Sequence, residues 1–293
     1  MHSAADIAAE AQSVNTQASY KSAVESFLAF CAEHAVEPTL PVSASVFAAW
    51  VGHLAGSGAK LNTIRARSAA IKAWHRSAGA PSPTDDPKIQ TLMKGLARRL
   101  GSAVVKKQAL TADMVQKMVE GTSPRDRAIL LIGFTTGMRR SELAALRWDD
   151  VEDVGEGLLL KIRKSKTDQE GHGQSVAIPS SGGDLCTVET FRRLKKLHDP
   201  SQGDLVFGCG DRTIANVVKR AVASIGMDES VFGAHSFRSG FASEARKQGA
   251  SLDDIMEQTR HKSDAVARGY IQGVDKMNNK AVHGVVNRLS KRR

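Results

Sequence analysis

The residues of this chain whose types and spacing could do chemistry together are Arg139, Glu142, Lys166, His235, Arg238, His261 and Tyr270. Arg139 and Glu142 stand three residues apart on a helix that begins after Gly137, which makes them neighbours on one face. His235 and Arg238 share a helical face one turn apart. Lys166 sits in a polar hairpin loop. His261 follows Thr-Arg and precedes Lys-Ser-Asp, like a residue entering a helix, and Tyr270 lies nine residues later. Taken singly, each has an ordinary explanation: a structural Arg–Glu pair, a weak HxxR, a solvated lysine, a capping histidine, a packed tyrosine. As a set they combine charge-stabilising, proton-transferring and nucleophilic groups. Guanidiniums stay charged and aim N–H donors at phosphate oxygens. A lysine on a mobile loop can donate a proton to a leaving group. A phenol, with a reference pKa of about 10, becomes a useful nucleophile only beside a base or cations.

Helices position most of these groups. The spacing predicts helices over 16–34 (Tyr20, Val24, Phe27, Leu28 and Cys31 inward), 43–55 and 60–78. A fourth is predicted over 87–100 after the loop Gly79-Ala-Pro-Ser-Pro-Thr. In the third, Leu61, Ile64, Ser68, Ile71 and His75 form the inward face, and Arg65, Lys72 and Arg76 share a different one. Residues 101–109 lack helical patterning and read as a linker. After it, Thr111 caps a helix carrying Met114, Val115, Met118 and Val119, and 124–137 is a strongly apolar helix expected to be buried. Leu158–Arg163 and Ser175–Ile178 have strand character around the polar segment 164–174. From Thr187 onward the pattern is mostly helical. The fold class expected is mainly α with a small antiparallel sheet. Two domains are expected, a helical one over 1–105 and a larger one over 106–293.

Composition narrows the partner. The 293 residues carry 41 Lys+Arg against 31 Asp+Glu, a formal +10 that favours a polyanion. The charge is uneven. Residues 1–59 hold Lys21 against five acids, whereas 60–107 hold eleven bases against Asp85 and Asp86. Arg65, Lys72, Arg76, Arg98, Arg99, Lys106 and Lys107 are therefore the candidate phosphate contacts. Cys31, Cys186 and Cys209 are few, odd in number and far apart, which argues against a disulfide scaffold or zinc module and fits a reducing compartment. The opening residues lack the apolar core of a secretory signal, and no stretch reads as a membrane span.

The order Arg139, Lys166, His235-x-x-Arg238, His261, Tyr270 resembles the tyrosine recombinase (phage integrase) family. Thr136-Gly-Met-Arg-Arg-Ser-Glu-Leu resembles its first arginine motif, His235-Ser-Phe-Arg238 its second box, and the stretch from His261 to Tyr270 its terminal box. Asn62-Thr-Ile with His75-Arg-Ser-Ala-Gly, Lys107-Gln-Ala-Leu and Ile255-Met-Glu-Gln look most like the Cre recombinase branch. Two departures stand out: Arg260 occupies a position where the family often has glycine, and His261 one where Cre has tryptophan.

The resemblance implies a two-domain, C-shaped DNA clamp, a helical core-binding domain followed by the catalytic domain. It implies a site-specific recombinase, cytoplasmic and nucleoid-associated, that binds double-stranded DNA as a dimer on one site and a tetramer on two. By resemblance Tyr270 attacks the scissile phosphate, leaving a 3′-phosphotyrosyl bond and a free 5′-OH. Arg139 and Arg238 bind the phosphate, Lys166 is the general acid, His235 accepts the tyrosine proton, His261 donates to the phosphate and Glu142 orients the cluster. No metal or cofactor is implied. After Tyr270, the stripe Met277, Ala281, Val285 and Leu289 implies a terminal helix exchanged between protomers. Two rivals stay open at this point: a type IB topoisomerase-like enzyme and a non-catalytic DNA-binding relative.

Overall fold

The computed structural model describes residues 14–101, 107–163, 173–233, 235–261 and 263–278, with positions 283, 286 and 288. Lys106, Lys166 and the terminal-stripe residues Ala281, Val285 and Leu289 lie outside the described residues. The chain divides into two compact units, Met1–Val105 and Lys106–Arg293.

The first unit is helical: α1 (Val14–Glu33), α2 (Ala44–Gly56), α3 (Leu61–Ser77) and α4 (Pro87–Leu100). Ser43 caps α2 by accepting from Val46 N–H, and Asp86 caps α4 with Pro87 at its first position. Phe27, Phe47, Trp50, Ile64 and Ile71 are fully buried together in its core. Each such side chain withdrawn from water contributes roughly 1.5–3 kcal/mol. The inward face expected of α3 is the observed one, with Leu61, Ile64, Ser68, Ile71 and His75 all buried. That of α1 needs correction. Leu28 is 38% exposed and Tyr20 half-buried, while Ala23, Phe27, Phe30 and Cys31 face the core. Leu28 lies at the edge of the stripe, and Phe30, which the spacing had not placed inward, is buried instead.

The second unit holds α5 (Ala112–Met118), α6 (Pro124–Thr136), α7 (Arg140–Ala145), a sheet, and α8 (Thr187–His198), α9 (Asp211–Ser224), α10 (His235–Lys247), α11 (Leu252–Thr259) and α12 (Asp264–Met277). The sheet is antiparallel in the order β1 (Val151–Asp153), β2 (Gly157–Ile162), β3 (Gln174–Pro179). Leu158 pairs with Ile178, and Leu160 pairs with Val151 on one side and Val176 on the other. Leu158, Leu160, Ile162, Val176 and Ile178 alternate into the core. After its charged first turn, α6 is apolar and buried from Ala128 to Gly133 because it is covered on every side there. It packs against α8, α10, α9, α5, α7 and β3.

Two glycines let the central helices close. A Cβ on Gly133 of α6 would stand 2.8 Å from the Phe237 ring of α10, and one on Gly240 would meet the Leu110 carbonyl and the Phe134 ring. This close crossing sets α10 against the end of α6, where Gly137 adopts the left-handed conformation at φ +58°. Among the described residues, no helix is long and apolar enough to cross a membrane.

Candidate active site

The turn between α6 and α7 places Arg139 immediately before the helix. There Glu142 folds back to accept from Arg139 N–H at 2.8 Å through Oε2 and from Arg139 Nη1 at 2.7 Å through Oε1. The carboxylate thus caps α7 and fixes its arginine at once. Oε2 also accepts from Arg260 Nη2 at 2.6 Å. Burial pushes the Glu142 carboxyl up, but Arg260 and the bonds from Arg139 outweigh it and hold it below the usual carboxylate value.

Arg238 is supplied by α10 and is 1% exposed. Its Nη1 donates to the Gly137 carbonyl and its Nε to His261 Nε2, each at 3.0 Å. Its Nη2 is buried and finds no hydrogen-bond partner among the described residues. Burial first, then the charges of Arg139 and Arg260, lower this guanidinium to about 10, so it stays protonated near neutrality. Arg139 and Arg260 pair with Glu142 and Arg238 lies beside them, so these four described residues carry a formal excess of two positive charges in a largely water-excluded cluster. Such an excess is costly unless an anion completes it.

His261 lies between α11 and α12, two residues before the Ser263 cap, rather than inside a helix. Its Nε2 accepts from Arg238, so the ring proton sits on Nδ1, which donates to Thr259 Oγ1 at 2.7 Å. Thr259 in turn donates to the Ile255 carbonyl. Burial, then Arg238, Arg139 and Arg260, depress His261 to about 4. The expected phosphate donor is therefore an acceptor here. Burial and the neighbouring guanidiniums account for the difference, since both favour the neutral ring.

The Tyr270 ring lies 5.2 Å from the His261 ring, at an interplanar angle of 35°. Ser243 of α10 donates to the Tyr270 carbonyl at 3.2 Å, and Arg246 pairs with Asp275 at 2.6 Å, which joins α12 to the helix carrying Arg238. His235 is exposed at the first residue of α10, one turn before Arg238. The structure therefore brings Arg139, Glu142, Arg238, His261 and Tyr270 into one region. It adds Arg260 and Thr259, which sequence patterning had not assigned a role. The one signal for Arg260 was a charged residue where a glycine is usual.

The other predicted phosphate contacts vary. Arg65, Arg76, Arg98 and Arg99 are exposed on α3 and α4. Lys72 is instead ion-paired with Asp85, and Lys107 donates to the Ser230 carbonyl. Among the described residues, no group of three His, Cys, Asp or Glu side chains could hold a metal ion.

The chain is similar to known proteins over most of its length. Residues 108–277 match the phage integrase family and residues 5–80 its N-terminal SAM-like domain. An integrase/recombinase xerD homolog of Selenomonas ruminantium is 30% identical over 94% of this chain and 86% of its own. The tyrosine recombinase XerC of Mycobacterium bovis is 26% identical over 88% of each. Among solved structures, XerH site-specific recombinase bound to palindromic difH substrate is similar over 90% of this chain and 78% of its own, at 18% identity and TM-score 0.66. A lambda integrase dimer bound to a COC′ core site is similar over 90% and 91%, at 21% identity and TM-score 0.63. The last two likenesses establish the fold.

Proposed function

The chain belongs to the phage integrase family, and on that premise we propose that it is a site-specific DNA recombinase that cuts and rejoins strands through a phosphotyrosyl bond. The observation that carries the assignment is Arg238 Nη2, a buried guanidinium donor without a partner in a cluster with two excess positive charges. A scissile phosphodiester supplies the missing anion. It takes directed N–H donors from Arg139 and Arg238, whose charge stabilises the phosphorane-like transition state.

Tyr270 is the nucleophile. Its oxygen bonds to phosphorus as the bond to the 5′ oxygen breaks. His235 accepts the phenolic proton and Lys166 supplies one to the leaving oxygen. Phosphate between the arginines and His261 raises the imidazole from about 4, so that Nε2 can carry a proton and donate. The bond energy is kept in the protein link, so religation requires neither ATP nor metal. Residues 1–105 act as the core DNA-binding domain, with Arg65, Arg76, Arg98 and Arg99 on the backbone, and 106–293 as the catalytic domain.

The structural neighbours bound to DNA, a lambda integrase dimer on a core site and a lambda integrase tetramer on a Holliday junction among them, support duplex DNA as partner and dimer and tetramer assemblies as the working forms. The terminal stripe exchanges between protomers. The Cre-like segments at 62–64, 75–79, 107–110 and 255–258 support placement in that branch, and a cytoplasmic, nucleoid-associated location goes with it. The test is covalent capture on nicked duplexes from a genomic fragment pool, in excess EDTA. A denaturant-resistant adduct that maps to Tyr270 and vanishes in Tyr270→Phe supports the assignment. An adduct on Tyr20, a strict divalent-ion requirement, or no adduct would overturn it. Relaxation of plasmids lacking any target site would point instead to a topoisomerase.

A further inference from the structure

Arg260 ends α11 at φ +58° and ψ +48°, a left-handed backbone that is strained for any residue with a Cβ and that glycine adopts freely. Its side chain is 2% exposed. A charged residue kept in that conformation and buried there must be held by its partners. Those partners converge on the site. Nη2 donates to Glu142 Oε2 at 2.6 Å, and Nη1 donates to the Gln258 carbonyl at 3.1 Å. The Gln258 amide donates to the Ala177 carbonyl of β3 at 3.0 Å and the Thr135 carbonyl of α6 at 3.4 Å. Arg260 therefore links the frame of sheet and central helix to the carboxylate that fixes Arg139.

We propose that Arg260 is a positioning residue for strand cleavage, one that locks Glu142 so that Arg139 presents its guanidinium to the scissile phosphate. The inference rests on the recombinase assignment above. Without Arg260, Glu142 Oε2 keeps only the Arg139 backbone N–H, and the carboxylate gains freedom to turn away from the Arg139 side chain. The role is indirect, because Arg260 spends two of its nitrogens on protein acceptors and acts through Glu142.

Arg260→Gly relieves the backbone and removes the guanidinium. Arg260→Asn keeps a residue that tolerates the left-handed region. Both should melt within a few degrees of the parent and bind duplex DNA with similar affinity, while adduct formation slows by about tenfold or more, equivalent to about 1.4 kcal/mol of transition-state stabilisation. Arg260→Lys should recover part of the rate. In a Glu142→Gln background the same Arg260→Gly change should alter the rate by less than about twofold, since coupled residues are not additive. Parental rates in Arg260→Gly, or an equal loss in both backgrounds, would overturn the inference. So would failure of both the Gly and Asn variants to fold, which would make Arg260 a residue of the fold alone. A parent chain that forms no Tyr270-dependent adduct removes the recombinase assignment itself, and the inference with it; a cleaving parent beside an unimpaired Arg260→Gly removes only the inference.

Discussion

In the helical unit, His75 accepts from Val42 N–H at 3.0 Å through Nε2 and donates to the Ile71 carbonyl at 2.8 Å through Nδ1. In the larger unit, His261 also accepts through Nε2 and donates through Nδ1, but to a guanidinium and a threonine. The hydrogen-bond pattern is shared and the surroundings are not. His75 is fully buried beside Ile71 and Trp74, and Ser68 on the same helix face donates to the Ile64 carbonyl. Among the described residues of that unit, Trp50 Nε1 is the one buried side-chain polar atom left unpartnered. Around His261, by contrast, Arg139 and Arg260 share the Glu142 carboxylate beside Arg238, and among the described residues both Arg238 Nη2 and Arg260 Nε lack partners. One imidazole completes a core. The other is only half-buried and lies beside an excess of guanidinium charge, so the two rings differ in neighbouring charge as well as in burial.

The largest effect that sharpens this contrast is expected at Arg238. Arg238→Gln should slow adduct formation by about a thousandfold, the scale of losing a transition-state donor. It should leave the melting temperature equal or higher, because it removes an under-compensated buried charge. Adduct kinetics beside calorimetry check both halves, and a large drop in melting temperature would break the contrast.

His75→Ala should behave oppositely. Losing the ring leaves a cavity and strips Val42 N–H of its acceptor, which should cost about 3 kcal/mol of stability. Chemical denaturation measures that loss, and cleavage per folded molecule should stay near the parent's.

A pH titration of stability tests the His261 ring next. The folded His261 lies near 4 against an ordinary value of 6.5, so the unfolded chain takes up that proton first as pH falls. Stability should therefore decline with acidification between about 6.5 and 4. Glu142, held below the ordinary carboxylate value, adds a further loss at the acidic end. Melting curves of His261→Asn should be flatter across this window. An unchanged slope would mean that His261 is not held neutral.

The smallest effect is on the surface of the helical unit. Replacing Arg65 and Arg76 by alanine should reduce the slope of log K against log salt by about 0.9 for each lost phosphate contact. Lys72, already paired with Asp85, should reduce it less. Duplex-binding titrations at several salt concentrations measure these slopes.

Much of this was legible in the amino-acid order, for reasons that can be named. α3 was readable because a 3.6-residue period over 17 residues leaves few alternatives, and α4 because Asp86-Pro87 marks its start. β1 went unread because three residues are too few to show alternation. Leu28 was misassigned because residues at the edge of a stripe differ in burial by what packs beside them, which spacing does not encode. Arg139, Arg238, His261 and Tyr270 were visible as a spaced set. The role of Arg260 was not, since it depends on a left-handed backbone and on a carboxylate 118 positions away in sequence. The tautomer of His261 was hidden for the same reason: it is set by Arg238, which sits on a different helix.

The claim that the guanidinium cluster awaits a phosphate is tested most directly by nitrogen NMR of the histidine rings in Tyr270→Phe, recorded free and bound to a duplex selected for tight binding. In the free protein, His261 Nε2 should be unprotonated at neutral pH. On binding it should gain a proton as the phosphate displaces Arg238 as its partner, while His75, as the internal reference, should not change. A His261 signal that stays unprotonated on bound DNA, or one that moves no more than that of His75, would contradict the account.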